Sequence, residues 1–368
     1  METYHVFCCG SNGQGQLGVS HEEDISVPIC CFESNCGIAN IGKGDNHTLL
    51  LLENGDLYAS GKSCGYVRDE RNELRNDVNE FKLVATNCQD VAAGWEFSIV
   101  VDRKSNIVVY STKEMTRFTL DGRVDYIRTS LDGILISCDN GKRVYAYGNN
   151  KKGQLLGNTS ELVLKEFSEL NLDIEGDDEL KLESVTNICM GRDYSILLAR
   201  TSTGENVLYM LGKSDRHGIL QDLNNTLGDG IIVGERGIDK CRHFIIKRGL
   251  SILDIKSMWS SVHVLYETEE GGVQIVSVGN DIYKQLYRDN SLIRLTKETQ
   301  FDVGTEHGVI LRSDQKEAFA WGWGEHGNCG SSIEGTNQCV YKVDDNSVDK
   351  IEKVFAGYAS TFIVTKHV

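Results

Sequence analysis

Apolar residues along this chain come in short runs, some alternating with polar residues and some continuous, bounded by Gly, Asn, Asp or Ser. Such runs read as β-strands separated by turns. One phrase recurs with the form small, any, any, then an aromatic, His or small residue, any, apolar, any, apolar. Its copies begin at residues 44 (GDNHTLLL), 94 (GWEFSIVV), 130 (SLDGILIS), 191 (GRDYSILL), 258 (MWSSVHVL), 304 (GTEHGVIL) and 357 (GYASTFIV), so successive copies lie 36 to 67 residues apart. A second phrase, an apolar strand ending in Gly or Ser, alternates strictly with the first. It begins at residues 6 (VFCCGSNGQGQLG), 57, 108, 144, 207, 275 and 318 (AFAWGWGEHGNCG).

Between the two phrases stand ENGD, DNGK and EEGG, whose Asn-Gly and Gly-Gly pairs tolerate positive φ and close tight hairpins. Seven hairpin-based units with no helical repeat predict an all-β fold: a seven-bladed β-propeller, one domain over residues 1–368. The second phrase opens the chain and the first phrase ends it. Residues near 3 to 9 are therefore expected to pair with STFIVTK in the last blade, so that no sheet edge stays open. Departures from the pattern fall at VVYSTKEMTRF, where an irregular edge is expected, and at 64–87, 158–186 and 213–250, which exceed a minimal blade.

Charge narrows the partners. The formal net charge is −16, and the best basic run, CRHFIIKRG at 241–249, reads as a strand flanked by charges. Direct nucleic-acid binding, which needs clustered Lys and Arg, is not expected. The first residues, METYHVFCCG, lack the features of a secretory signal, and no apolar run is long enough to span a bilayer. None of the twelve Cys forms a C-x-x-C pair, so reduced, mostly buried thiols are expected, with no metal or cofactor held by the chain itself. These features favour the cytoplasm, with the nucleus also open.

The phrase G-x-N-x-x-G-Q-L-G followed by a G-x-x-H-[ST] strand resembles the regulator-of-chromosome-condensation propeller family, most clearly in GSNGQGQLG with GDNHTLLL and GNNKKGQLLG with GRDYSILL. The combination of AGWEFSIVVD, MWSSVHV, GTEHGVIL, WGWGEHGNCG and AGYASTFIV resembles one fungal branch of it, the alpha-tubulin suppressors or killer-toxin-insensitivity proteins. That resemblance implies a non-catalytic propeller in a heterodimer with a small four-cysteine, CSL-type zinc- or iron-binding protein. It implies service, through that partner, to diphthamide synthesis on the translocation elongation factor and to Elongator-dependent modification of tRNA wobble uridines. The broader family implies a rival: a guanine-nucleotide exchange factor for a Ran-type GTPase.

Candidate contact residues lie just before the strands of the first phrase. His47, Tyr194 and His307 share the fourth position, and a repeated position implies a repeated structural duty between blades. Trp259, Trp95 and Tyr358 instead follow the small residue, where a generic copy has a polar or small side chain. Exposed aromatics dominate binding hot spots. Trp259 therefore leads the partner-binding set, joined by Trp95, Glu96, Tyr358, Glu306 and His307. Trp323, Glu325 and His326, which a bare repeat does not need, form a second-choice surface. Neither Glu306-His307 nor Glu325-His326 reads as a catalytic pair, because strand neighbours point to opposite faces. No G-x-x-x-x-G-K-[ST] loop is present to cradle phosphate. The acidic run DIEGDDELKLE at 173–183 reads as a solvated loop that steers a basic partner.

Overall fold

The strand His47–Leu52 shows how the pattern becomes structure, since all six of its residues are buried. Leu50 and Leu52 pack with Val6, Ile38 and Phe362, while Leu49 and Leu51 pack with Val91 and Val100. Alternate residues thus enter two different cores, one on each side of the sheet, and a strand covered on both faces reads as a continuous apolar run. A fully buried Leu of this kind contributes roughly 1.5–3 kcal/mol.

The computed structural model describes residues 2–69, 71–156, 161–170, 182–213, 217–233, 242–289, 291–331, 334–344 and 347–367. Its strands form seven antiparallel sheets, the seven blades of a β-propeller. The chain divides into two compact units, residues 1–119 with 281–368 and residues 120–280.

Unit one holds four blades. Blade one runs Ile38–Lys43, His47–Leu52, Leu57–Gly61 and Val78–Ala85; blade two runs Cys88–Ala93, Phe97–Asp102, Asn106–Ser111 and Met115–Thr119. Blade six comprises Phe301–Val303, His307–Leu311, Glu317–Trp323 and Glu334–Lys342. Blade seven is ordered Ile25–Ser34, Thr3–Gly10, Ser360–His367 and Lys350–Ala356, with Thr3 opposite His367 and Gly10 opposite Ser360. The expected pairing of the first and last strands is therefore present.

Unit two holds three blades. Blade three is built from Val124–Thr129, Gly133–Cys138, Arg143–Asn149 and Val163–Glu169. Blade four follows Leu182–Met190, Tyr194–Thr201 and Asn206–Gly212 with Arg242–Ile246 and then Gly228–Val233. Blade five has only Ser251–Ser257, Ser261–Glu267 and Val273–Gly279 among the described residues, one strand fewer than blade three.

One backbone contact explains why the second phrase ends in Gly. Gly61 has φ 93°, and a Cβ there would sit 2.4 Å from the Asn46 carbonyl oxygen. Gly322 stands in the same relation to the Glu306 carbonyl, at 2.5 Å, and Gly10 to that of Ala359, at 2.2 Å. The residue after each Gly then donates its N–H to that carbonyl: Lys62 to Asn46 at 2.8 Å, Trp323 to Glu306 at 2.9 Å and Ser11 to Ala359 at 2.8 Å. Blade two lacks the contact, as its strand ends at Ser111 in place of Gly. Where the Gly is present, this clamp ties the loop before the first-phrase strand to the strand beside it.

One expectation needs correction. VVYSTKEMTRF forms a regular hairpin, with Asn106–Ser111 and Met115–Thr119 paired in unbroken register, because a short turn suffices without Gly. The long segment 213–250 includes a helix, Ile219–Leu227, whose Ile219, Leu220, Leu223 and Leu227 are buried on one face. Arg242–Ile246 is the strand expected within the basic run. The acidic run lies outside the described residues up to position 181.

Candidate functional site

The fourth-position side chains build the frame of the site. His47 is fully buried, and its Nε2 lies 2.9 Å from Ser98 Oγ in blade two. The Ser98 hydroxyl donates its only hydrogen to the Gly65 carbonyl at 2.6 Å, so His47 Nε2 is the donor to Ser98. His307 repeats the arrangement: Nε2 to Thr361 Oγ1 at 2.9 Å, and Thr361 to the Asn328 carbonyl at 2.8 Å. In unit two the Tyr194 hydroxyl contacts the carbonyls of Met258 and Ser261 at 3.2 and 3.1 Å. Burial pushes His47 down to about 3 and His307 to about 4, so both are neutral struts between blades. His307 leaves the partner-contact set for this reason: at 1% exposure, with Nε2 engaged, its side chain is not offered to a partner.

The loops next to that frame carry Trp95 and Tyr358 of unit one. Trp95, 37% exposed, meets Tyr358 edge to face with ring centroids 5.8 Å apart. The two come from blades two and seven, with blade one packed between them. Asn40 of blade one bonds Asp90 of blade two at 2.9 Å, and Lys353 of blade seven bonds the Ile38 carbonyl at 2.6 Å. The aromatic pair therefore spans blade one. Beside it, Glu96 is exposed and meets Lys62 at 3.5 Å. Asp45, on the loop of blade one, is half-buried, and desolvation raises its carboxyl above the usual range despite the Asn46 hydrogen bond.

Beneath these groups lies an unusual turn. Ser63, Cys64, Gly65 and Tyr66 all have positive φ, from 48° to 70°. Each non-Gly residue in that conformation costs roughly 1–2 kcal/mol. Asp77 offsets part of the cost by accepting the Ser63 N–H at 2.6 Å, and Ser98 holds Gly65 as above. The turn delivers Tyr66 to a fully buried position, edge-on to His47 at 4.9 Å, with its hydroxyl lacking a hydrogen-bond partner. Burial, with Glu96 and Asp45 nearby, pushes that hydroxyl up to about 12.

The remaining predicted residues follow along neighbouring loops. Thr305 N–H donates to the Gly357 carbonyl at 3.2 Å, setting the Glu306 loop beside that of Tyr358. The Glu306 carboxylate accepts from Gln285 at 2.8 Å. Trp323 is half-buried, 5.2 Å from the His326 ring and 6.5 Å from Tyr283, while Glu325 is exposed. His326 turns to Asp24, at 2.6 Å, and not to Glu325. Trp259 belongs to unit two, where it is half-buried under the Arg192 guanidinium, 5.5 Å from its ring.

Two features escaped the sequence reading. Ile282 and Tyr283, 76% and 54% exposed, occupy the places of Gly13 and Gln14 in a turn closed by the same hydrogen bond. Leu286 N–H bonds Asp281 Oδ1 at 3.0 Å just as Leu17 N–H bonds Asn12 Oδ1 at 2.9 Å. Aligning the turns side by side would have exposed that substitution. Tyr66 gave no signal, because nothing in KSCGY marks a left-handed turn beyond its single Gly.

Burial pushes Cys64 and Cys88 up to about 11, which makes them poor nucleophiles. Among the described residues no group of three His, Cys, Asp or Glu is placed to hold a metal ion.

A regulator of chromosome condensation (RCC1) repeat matches residues 5–51, spanning the first copies of both phrases. Over 100% of this chain and 90% of its own, yeast RCC1 (Prp20), solved bound to Kap60, superposes with a TM-score of 0.72 at 16% identity. The chain is a seven-bladed β-propeller that shares its fold with yeast RCC1 and matches one RCC1 repeat at residues 5–51. Human WBSCR16 has the same fold, with a TM-score of 0.71 at 18% identity over 99% of both chains. In sequence the propeller is 24% identical to an RCC1 repeat-containing protein of Schizosaccharomyces pombe, over 96% of this chain and 97% of that one. It is also 24% identical to the mouse secretion-regulating guanine nucleotide exchange factor, over 89% of this chain and 76% of that protein.

Proposed function

We propose that this propeller is a non-catalytic protein-binding module, with its contact surface on the loops of unit one around Trp95, Glu96 and Tyr358. One observation carries the reading: an exposed Trp is locked edge to face against a Tyr from two blades away, beside an exposed carboxylate. Rigid, half-desolvated aromatics of this kind supply most of the binding energy at interfaces. Glu306, Trp323, Glu325 and His326 extend the surface along the adjoining loops; Trp259, on unit two, is a separate candidate contact. The partner is a small four-cysteine, CSL-type zinc- or iron-binding protein in a heterodimer, acting in diphthamide synthesis and Elongator-dependent tRNA modification in the cytoplasm or nucleus. The segment-by-segment resemblance in the sequence supports this choice. The test is co-purification of the two recombinant proteins followed by calorimetry. Trp95→Ala is expected to weaken the complex by more than ~2 kcal/mol, and failure of the wild-type pair to associate counts against the proposed partner.

The exchange-factor reading draws on the name of the mouse relative, which is similar over most of this chain. It predicts that the propeller accelerates nucleotide release from a Ran-type GTPase. An unchanged release rate at micromolar propeller removes it.

A further inference from the structure

Ile282 is the most exposed large apolar side chain among the described residues, and Tyr283 beside it is half open to water. The two turns that share its Leu N–H to Asx bond carry Gly13-Gln14 and Lys151-Lys152 at the tip, so the turn itself does not call for apolar residues there. Tyr283 lies beside Trp323, with ring centroids 6.5 Å apart, and Trp323 meets the His326 ring at 5.2 Å. His326 holds Asp24 at 2.6 Å, and a Cβ on Gly327 would come within 2.6 Å of Ser26 Cα. The loop after Trp323 is thus seated against the loop 11–24. Gln285, on the Tyr283 turn, bonds Glu306, whose carbonyl accepts the Trp323 N–H at 2.9 Å. A ridge of rings therefore runs from the Ile282 tip past Trp323 to His326, all within unit one. The loops it touches, 11–24, 304–306 and 324–331, carry Glu22, Glu23, Asp24, Glu306 and Glu325 and not one Lys or Arg. Glu22, Glu23 and Glu325 are exposed. The Tyr283 turn brings Lys284, while its Arg288 is paired with Asp281 at 2.6 Å.

We infer that the Ile282–Tyr283 ridge docks a basic peptide segment of a protein partner. An apolar side chain of that segment packs on Tyr283 and Trp323, and flanking Lys or Arg residues face Glu22, Glu23 and Glu325. The inference rests on the protein-binding reading above, but not on the metal protein named there. Exposed apolar side chains rimmed by carboxylates suit a partner that brings the opposite charge, because complementary potentials speed encounter and fix register. A second copy of this chain fits worse, since a two-fold contact sets the same acidic loops against each other. An anionic membrane is repelled by the same carboxylates.

The test selects from a random peptide library displayed on phage, with the full-length propeller as bait. The control bait carries Ile282→Gly with Tyr283→Gln, the residues of the first turn, and should melt like the wild type because both side chains are exposed. Peptides recovered by the wild type alone are expected to join an aromatic or aliphatic residue to flanking Lys or Arg. A synthetic copy of the strongest, followed by fluorescence anisotropy, should bind the double variant at least tenfold more weakly. Glu22→Gln, Glu23→Gln and Glu325→Gln together should weaken it at least threefold and flatten its dependence on NaCl. Recovery of no selective peptide, or of acidic ones, overturns the inference, as does equal binding by the double variant. Dimerisation of the wild type that the double variant loses gives the ridge to a second copy and overturns it too. Selective basic peptides from a propeller that ignores the CSL-type protein uphold the ridge and strike only the partner proposed above. A CSL-type complex that forms alike with wild type and double variant, with no peptide recovered, strikes the ridge and leaves the binding-module reading standing.

Discussion

At the scale of single residues, the buried histidines set the acid limit of this protein. His47, His263 and His307 are fully buried, and desolvation lowers them to about 3, 3 and 4. In the unfolded chain each titrates near 6.5. The folded state refuses protons that the unfolded state accepts, so the stability these residues contribute is complete above about pH 6.5 and is lost as pH falls toward their folded values. Each one adds about 1.4 kcal/mol per pH unit to the slope in that window. His47→Gln keeps a donor for Ser98 and is expected to flatten the slope by about that amount. Denaturation midpoints between pH 4.5 and 7 measure it, and an unchanged slope would show that His47 does not titrate as its burial requires.

At the scale of elements, the Gly clamp matters more than the hydrophobic pattern that reveals it. Gly61→Ala places a methyl carbon 2.4 Å from the Asn46 oxygen and at positive φ, and is expected to cost at least ~2 kcal/mol. Lys284 gives the opposite case. It holds φ 63° where the matching turns have Gly15 and Gly153, so Lys284→Gly should be neutral or stabilising by up to ~1 kcal/mol. Calorimetric melting of the two variants reads both effects. The same contrast explains what was legible in the sequence. Leu49 to Leu52 and the alternating phrases announced their strands, because burial on two faces leaves no polar position to hide them. The helix over Ile219–Leu227 went unread, since it lies in a long insertion between strands and its apolar spacing belongs to no repeat. Trp95 and Tyr358 were visible as residues too large for their positions, but their meeting across blade one was not. Contacts between loops from different blades depend on the packing of whole sheets, which local spacing does not encode.

At the scale of the whole molecule, seven copies of two phrases sufficed to read a propeller, while the partner rests on a resemblance and on one loop surface. The feature with the widest reach is blade seven, where Thr3–Gly10 sits between Ile25–Ser34 and Ser360–His367. The strands Thr3–Gly10 and Ser360–His367 share one sheet, with every other blade translated between them. Translation at about 5–20 residues per second puts roughly 20 to 70 s between the emergence of Gly10 and that of Ser360. Throughout that interval the strand Thr3–Gly10 has one neighbour available and one missing, with Val6 and Cys8 waiting for Phe362 and Val364 to cover them. An apolar strand with a bare edge is the usual seed of aggregation, so the nascent chain depends on being shielded while it waits. Pulse-labelled chains caught in that interval should carry chaperones at this segment and shed them when the last strand docks.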